Sequence, residues 1–187
     1  MLLPPDIVAS LVRTIELKDR STAAHTWRVV LYARAMAEEL GLGADEIERV
    51  SMAAALHDLG KIDIPDEILQ KPGALTDEEF EVIKTHTTLG HDRLVRMGVD
   101  DEGVLALVRH HHERFDGRGY PDGISGEQIR LGPRIFAVID TFDALTSRRP
   151  YRSEVGKAAA AKAIEIIVKG AGSHYHPEAA DLFLRLY

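Results

Sequence analysis

The sequence predicts an all-α fold: one helical domain is expected over residues 1–187, with about seven to eight helices and a single long loop. Three observations point there. Apolar residues recur at the three- and four-residue spacing of a buried helix face, as in Val29, Val30, Ala33, Met36, Ala37 and Leu40. Glycines and prolines stand where such helices would stop or start. No run alternates apolar and polar residues in the manner of a half-buried strand.

Taken in order, a first helix starts behind Pro4-Pro5, since proline suits a helix's first position, and runs to about Asp19. A second spans about Thr22 to Leu40 and is ended by Gly41 and Gly43. A third covers about Asp45 to Leu59, with Gly60 as its stop. Residues 60–73 read as a loop containing one short helical turn, Pro65 to Leu69. Thr76-Asp77-Glu78-Glu79 is a capping box, so a helix to about Met97 follows. Another covers about Glu102 to His112. Residues 113–133 hold five glycines and two prolines and form a long loop, a length that is usually functional or disordered. Helices from Pro133 to about Leu145, Glu154 to Lys169 and Pro177 to Leu186 complete the chain. There are no repeats or low-complexity tracts, and no separate regulatory domain is expected.

Composition narrows the chemistry. At 187 residues, 45% apolar and 28% charged, the chain can bury a core and is ordinary for a globular protein. Cysteine is absent, which excludes disulfides and thiolate metal sites; any metal must be held by nitrogen and oxygen. The first residues carry two prolines and an acid rather than a basic, apolar leader, and no apolar run approaches the ~20 residues of a membrane span. A cytoplasmic protein without membrane contact is expected. A net charge of −7 argues against binding a nucleic-acid polymer, which requires a broad basic surface. It leaves open a small phosphate ligand, because a few cations within a cleft reverse the field locally.

The nine histidines are unevenly placed. His57-Asp58 ends an apolar helix just before Gly60-Lys61, His86 lies on the next long helix, and His110, His111 and His112 end the one after. His25 lies on the second helix, and Asp140 and Asp143 share a helix face at i, i+3. A single buried histidine is more often a satisfied core residue than a ligand, and a helical acid is more often solvated. Context weakens that reading. Asp140 sits in Phe136-Ala137-Val138-Ile139-Asp140-Thr141-Phe142, and Asp58 follows Met52-Ala53-Ala54-Ala55-Leu56. Carboxylates in such surroundings need a partner, and a metal is a natural one. Imidazole and carboxylate without thiolate suit Fe, Mn, Zn or Ni over a soft metal.

The same residues reproduce a known pattern. His25, His57-Asp58 and Asp140 resemble the H…HD…D signature of the HD superfamily of all-α metal-dependent phosphohydrolases. The stretches HDLGKIDIP (57–65), ILQKPGALTDEE (68–79), His86 with Gly90, HHERFDGRGYP (111–121) and DTFDALTSRRPYR (140–152) resemble its HD-GYP subfamily. The likeness runs from about Glu16 to Arg152, with the segments in order.

The resemblance implies a phosphodiesterase that hydrolyses cyclic di-GMP to linear pGpG, GMP or both, through a hydroxide bridging two divalent ions, Fe or Mn, with Ni, Zn or Mg as other options. One ion would take His25, His57, Asp58 and Asp140. The other would take His86, His111 and His112, with Asp58 bridging. Some members place a glutamate four residues before the first histidine and hold a third ion; here that residue is Ser21, so two ions are expected. Asp58 and Lys61 would be catalytic. Lys61, Asp143, Arg149 and Arg152 would contact substrate, Asp143 being equally able to support the site from behind, as Thr22 and Arg28 would. Gly119, Tyr120 and Pro121 form the GYP loop, implicated in contacts with diguanylate cyclase (GGDEF) domains. His110 reads as a bystander. Gly172-Ser173-His174-Tyr175-His176-Pro177 replaces the family's Gly-x-x-Phe-Asp-Pro, which makes His174 and His176 structural residues. Three alternatives stay open: a non-hydrolytic cyclic-dinucleotide sensor, an HD-type hydrolase of another nucleotide, and a di-iron oxygenase.

Overall fold

The computed structural model describes residues 1–19, 23–147 and 156–187. They form ten α-helices: α1 (Pro5–Lys18), α2 (Ala23–Glu39), α3 (Ala44–Leu56), α4 (Asp66–Leu69), α5 (Asp77–Lys84), α6 (His86–Arg96), α7 (Glu102–His110), α8 (Leu131–Thr146), α9 (Lys157–Gly170) and α10 (Pro177–Leu186). Two 3-10 turns, Leu59–Asp63 and Gly126–Gln128, complete the regular structure. The only β-type pairing among the described residues is one isolated bridge between Ala171 and Tyr175, so the fold is all-α as expected. The helix count exceeds the expected seven to eight for two reasons. The 66–69 turn is a short helix in its own right, and the helix expected from Thr76 to Met97 is two helices meeting at Thr85.

Local chemistry explains the ends. Thr76 Oγ1 accepts the backbone N–H of Glu79 at 3.3 Å, and the Glu79 carboxylate accepts that of Thr76 at 2.7 Å, the reciprocal cap read from the sequence. Asp101 caps α7 by accepting the amides of Gly103 and Val104, each at 3.0 Å. Proline opens both α1 and α10.

The centre of the molecule is the second half of α3. Met52, Ala53, Ala54, Ala55 and Leu56 are all buried, because α1, α2 and α7 pack around this helix. The three successive alanines let those backbones come close. On the far side α8 packs against α2, α7, α9 and α10, burying Ile135, Phe136, Val138 and Ile139. Each large apolar side chain removed from water contributes roughly 1.5–3 kcal/mol. The same packing fixes where the helix ends lie, and five polar segments reach one point. These are the first turn of α2, the residues just past α3, the start of α6, the residues just past α7, and the last two turns of α8.

Candidate metal centre

Each candidate ligand stands where a helix begins or ends, or on a face turned inward. His57 and Asp58 follow α3; their backbone turns directly into the 59–63 segment. That segment lies against α6 so closely that a Cβ on Gly60 would stand 1.9 Å from the carbonyl oxygen of His86 and 2.6 Å from the Gly90 nitrogen. Only glycine permits this approach. It brings the His57-Asp58 turn and His86 together across 29 residues of chain. His111 and His112 follow α7, where His111 closes the helix with αR backbone angles.

The side chains converge in two groups. His25, His57 and Asp58 each offer one ligand atom, all within 4.8 Å of one another, and so do His86, His111 and His112. Asp140 Oδ1 lies 3.3 Å from His25 Nε2, at the edge of the first group. Asp58 stands between the groups. Its Oδ2 is 3.2 Å from His57 Nε2 and its Oδ1 is 3.5 Å from His86 Nε2. The bridging position implied for Asp58 is thus available to it.

The hydrogen-bond pattern decides what the imidazole nitrogens can do. His57 Nδ1 lies 2.8 Å from the Ala54 carbonyl, His86 Nδ1 2.7 Å from that of Ile83, and His111 Nδ1 2.9 Å from that of Val108. A carbonyl only accepts, so Nδ1 is the protonated nitrogen in each ring. His25 Nδ1 faces Asp143 Oδ2 at 2.7 Å, which fixes the same tautomer. With Nδ1 protonated, the Nε2 atom of a neutral ring is a bare lone pair, yet His86 and His111, both kept neutral by burial, bring theirs within 3.2 Å, and the Nε2 atoms of His25 and His57 lie 3.4 Å apart. Neutral rings cannot satisfy one another in this way, whereas a cation between them would satisfy all. Carbonyl or carboxylate support behind each ring is also how metal-binding histidines are oriented. The donor set therefore fits divalent ions.

Electrostatics divides the two groups. Burial pushes His111 well below its ordinary pKa, brings His86 down to about 3 and lowers His112, so these rings are held neutral. Burial acts on His57 in the same direction but is outweighed by Asp58 and Asp140, and its pKa is raised. Burial would raise Asp58, yet His57 and Lys61 hold it well below the usual carboxylate range. Lys61, its side chain 18% exposed, has a raised pKa although burial acts to lower it, because Asp58 and Asp19 face it.

Several expectations are sharpened. The Lys61 ammonium does not extend into solvent; it sits 2.8 Å from Asp58 Oδ2 and 3.4 Å from Asp19 Oδ2. No motif or spacing marks Asp19, which arrives from the end of α1. Asp143 is 1% exposed, and both its oxygens are engaged: by His25, by the Arg28 guanidinium at 2.5 and 2.9 Å, and by the Ser147 hydroxyl at 3.0 Å. Of the two roles open to it, that geometry favours support of His25 over contact with a substrate. His110 points away from both groups and pairs with Asp122 at 2.7 Å. His174 and His176 have protein partners, Arg114 for the first and Glu127 and Arg134 for the second. Ser21, Thr22, Arg148, Arg149 and Arg152 lie outside the described residues.

The GYP loop is folded against this site. The buried Glu113 accepts the backbone amides of Asp122 and Gly123 at 2.7 and 3.0 Å, while Arg109 and His110 both grip the Asp122 carboxylate. A Cβ on Gly119 would meet the Arg114 nitrogen at 2.4 Å and the Glu113 Cα at 2.5 Å, so the loop doubles back onto its own start. Tyr120 is thereby laid over His112, ring centres 4.9 Å apart. Pro121 follows through a cis peptide bond. A separate groove of about 390 Å³, lined by Leu42, Arg49, Leu107, Leu131 and Ile135 among others, opens at the opposite ends of α3, α7 and α8; none of the candidate ligands lines it.

Known proteins resemble this chain in sequence and in fold. The HD domain family model matches residues 9–179. The cyclic di-GMP phosphodiesterase response regulator RpfG of Xanthomonas campestris pv. campestris is 42% identical over 184 residues, covering 96% of this chain and 47% of that protein. The 3'3'-cGAMP-specific phosphodiesterase 2 of Vibrio cholerae is 35% identical over 184 residues, 96% of this chain and 34% of that protein. The chain thus spans half or less of the length of these curated relatives. Among solved structures, a cyclic GMP-AMP specific phosphodiesterase of V. cholerae superposes with a TM-score of 0.71 at 16% identity, over 96% of this chain and 47% of that one, which establishes the shared fold. Since the HD domain model runs from inside α1 to inside α10 and takes in both groups of candidate ligands, the chain belongs to the HD domain family, and to its HD-GYP branch.

Proposed function

We propose that this chain is a metal-dependent phosphodiesterase of cyclic dinucleotides, with cyclic di-GMP as substrate and linear pGpG, GMP or both as products. One observation carries the reading: four imidazoles whose Nδ1 edges are engaged by carbonyl or carboxylate oxygens converge their Nε2 atoms in two pairs, with Asp58 between the groups and Asp140 at the edge of one. Two divalent ions, iron or manganese by the imidazole-carboxylate donor set, would be held there. His25, His57, Asp58 and Asp140 would hold one, and His86, His111, His112 and Asp58 the other. Bound there, such ions supply Lewis acidity toward a phosphodiester and make water acidic enough to act as nucleophile at neutral pH.

The chain's own residues supply the rest. Lys61 keeps a positive charge beside Asp58, fixing that carboxylate and offering attraction to a phosphate oxygen. Asp143 and Arg28 hold His25 in one orientation. Tyr120 covers His112 from the loop side and limits water there. Arg149 and Arg152 belong to this reading as contacts to the phosphates and bases. The GYP loop would also dock diguanylate cyclase domains, a role supported by the exposure of Asp116 and Arg118 on its outer side.

The relatives named as acting on cyclic di-GMP support the choice of substrate, and the 3'3'-cGAMP-specific relative supports a second reading with the same chemistry. The test is turnover by purified protein loaded with Mn(II), or with Fe(II) under reducing conditions. Cyclic di-GMP and 3'3'-cGAMP are each supplied and the products resolved by chromatography. Formation of pGpG or GMP supports the proposal; binding without product selects the sensor reading; no binding or turnover of either compound overturns it.

A further inference from the structure

Phe80 is one of several large apolar side chains left exposed, and its neighbours set it apart from the others. It projects from α5 with 47% of its area exposed, close to the candidate metal centre and outside the core. Its ring is not isolated. The Tyr120 ring lies 6.4 Å away, nearly perpendicular to it, and the ammonium of Lys84, one turn further along α5, stands 5.6 Å from the Phe80 ring centre and 5.7 Å from that of Tyr120. The aromatic contacts continue inward: Tyr120 to His112 at 4.9 Å, then His112 to His111 at 4.2 Å. A line of rings therefore leads from the three-histidine group to solvent, with one cation above its outer end.

We infer that Phe80, Lys84 and Tyr120 form a platform that binds a nucleobase of the substrate while its phosphodiester lies at the metal centre, an inference that rests on the cyclic-dinucleotide reading of that centre. Three arguments favour a base over other occupants. Aromatic side chains at the edge of a nucleotide site bind bases through their faces, whatever the base, and one such contact is worth ~1–3 kcal/mol, about a tenfold change in affinity or more. Lys84 is held over the rings and, among the described residues, is otherwise paired with Glu81 at 2.5 Å, whose side chain is 68% exposed. An ion pair so open to water contributes little, so a phosphate or a base carbonyl replaces it at small cost. Finally, the platform is assembled from two elements that the site already fixes in place. The α5 helix leads directly to His86, and the loop bearing Tyr120 leads directly from His112. A base seated here would stay in register with the phosphate.

The test measures binding and turnover in the full chain. A phosphorothioate analogue of cyclic di-GMP that resists hydrolysis is titrated into Mn(II)-loaded wild type, Phe80→Ala and Phe80→Trp. The ratio of kcat/KM for cyclic di-GMP to that for bis(p-nitrophenyl) phosphate is measured in parallel. A base platform predicts that Phe80→Ala weakens the analogue about tenfold and lowers the ratio by a similar factor, acting through KM more than kcat, while Phe80→Trp restores both. A merely structural Phe80 would lower both substrates together. If Phe80→Ala binds the analogue as wild type does, or the ratio is unchanged, the platform is overturned. If the wild type itself binds no cyclic dinucleotide, the functional reading fails first and the platform fails with it.

Discussion

Asp143 accepts a hydrogen bond from Nδ1 of His25 at 2.7 Å, joining two helices that are 118 residues apart in the chain. Because Asp143 is buried and also gripped by Arg28, its charge and position are both fixed, and with them the direction of the His25 lone pair. Removing the charge while keeping the shape separates orientation from packing. Asp143→Asn is expected to keep the helical fold and lose about 10- to 100-fold in metal affinity, the usual effect of losing such support behind a ligand. Titration of apoprotein with Mn(II), alongside far-UV circular dichroism, checks both halves.

Chelation gives a second expectation. Ions that bind only the folded chain stabilise it by mass action, about 2.7 kcal/mol per site at a free concentration of 100 times Kd. Adding a chelator to metal-loaded protein is expected to lower Tm by several degrees. In His57→Ala and His111→Ala the same addition is expected to change Tm much less.

Gly60 gives a third. A methyl group there would meet the His86 carbonyl at 1.9 Å, and the neighbour is backbone, which cannot rotate aside. Gly60→Ala is expected to cost about 1–3 kcal/mol or more, as overpacking does, and to lower Tm by roughly 2–12 °C for a chain of this size. Thermal denaturation of the chelated protein measures it without interference from metal binding.

Glu113 gives a fourth, in which two substitutions part company. Its Oε1 accepts two loop amides, and its Oε2 is buried without a hydrogen-bond partner among the described residues. Burial raises the pKa of this carboxyl, so the site tolerates a neutral group. Glu113→Gln keeps the acceptor and is expected to leave the loop in place. Glu113→Ala strands two amides, at ~1–3 kcal/mol each if they remain buried. Limited proteolysis within residues 114–130 is expected to accelerate for the alanine variant and not for the glutamine one.

Much of this was legible in the residues. Of Val29, Val30, Ala33, Met36, Ala37 and Leu40, whose spacing marks one face of α2, Val29, Ala33, Met36 and Ala37 are buried and Val30 is partly so, while Leu40, just past the end of the helix, is exposed. Thr76 and Glu79 marked the start of α5 because a capping box is chemistry local to four residues. The break at Thr85 was not legible: no glycine or proline stands there, and the chain is redirected by the docking of His86 against Gly60. The glycines and prolines of residues 113–133 mark a loop but carry no sign of its order. Its order comes from Glu113 and from Phe115 and Asp116, whose amides reach the carbonyls of His174 and Ser173 far along the chain. The ligands could be gathered by motif; the tautomers and the position of Asp58 between two groups required coordinates. Asp143 stayed open between two roles because a carboxylate's partners across a helix interface leave no trace in spacing.

The three carbonyl contacts behind His57, His86 and His111 share a register: each ring is tied to the residue three positions before it. Each imidazole is therefore aimed by its own stretch of chain, before any other element arrives. Forming the centre then requires only that finished segments meet, with little rotational freedom left for an incoming ion to suppress. The centre is in that sense preassembled by parts, and a segment carrying such a back-tied histidine is a unit that could be moved to another helical scaffold with its aim intact.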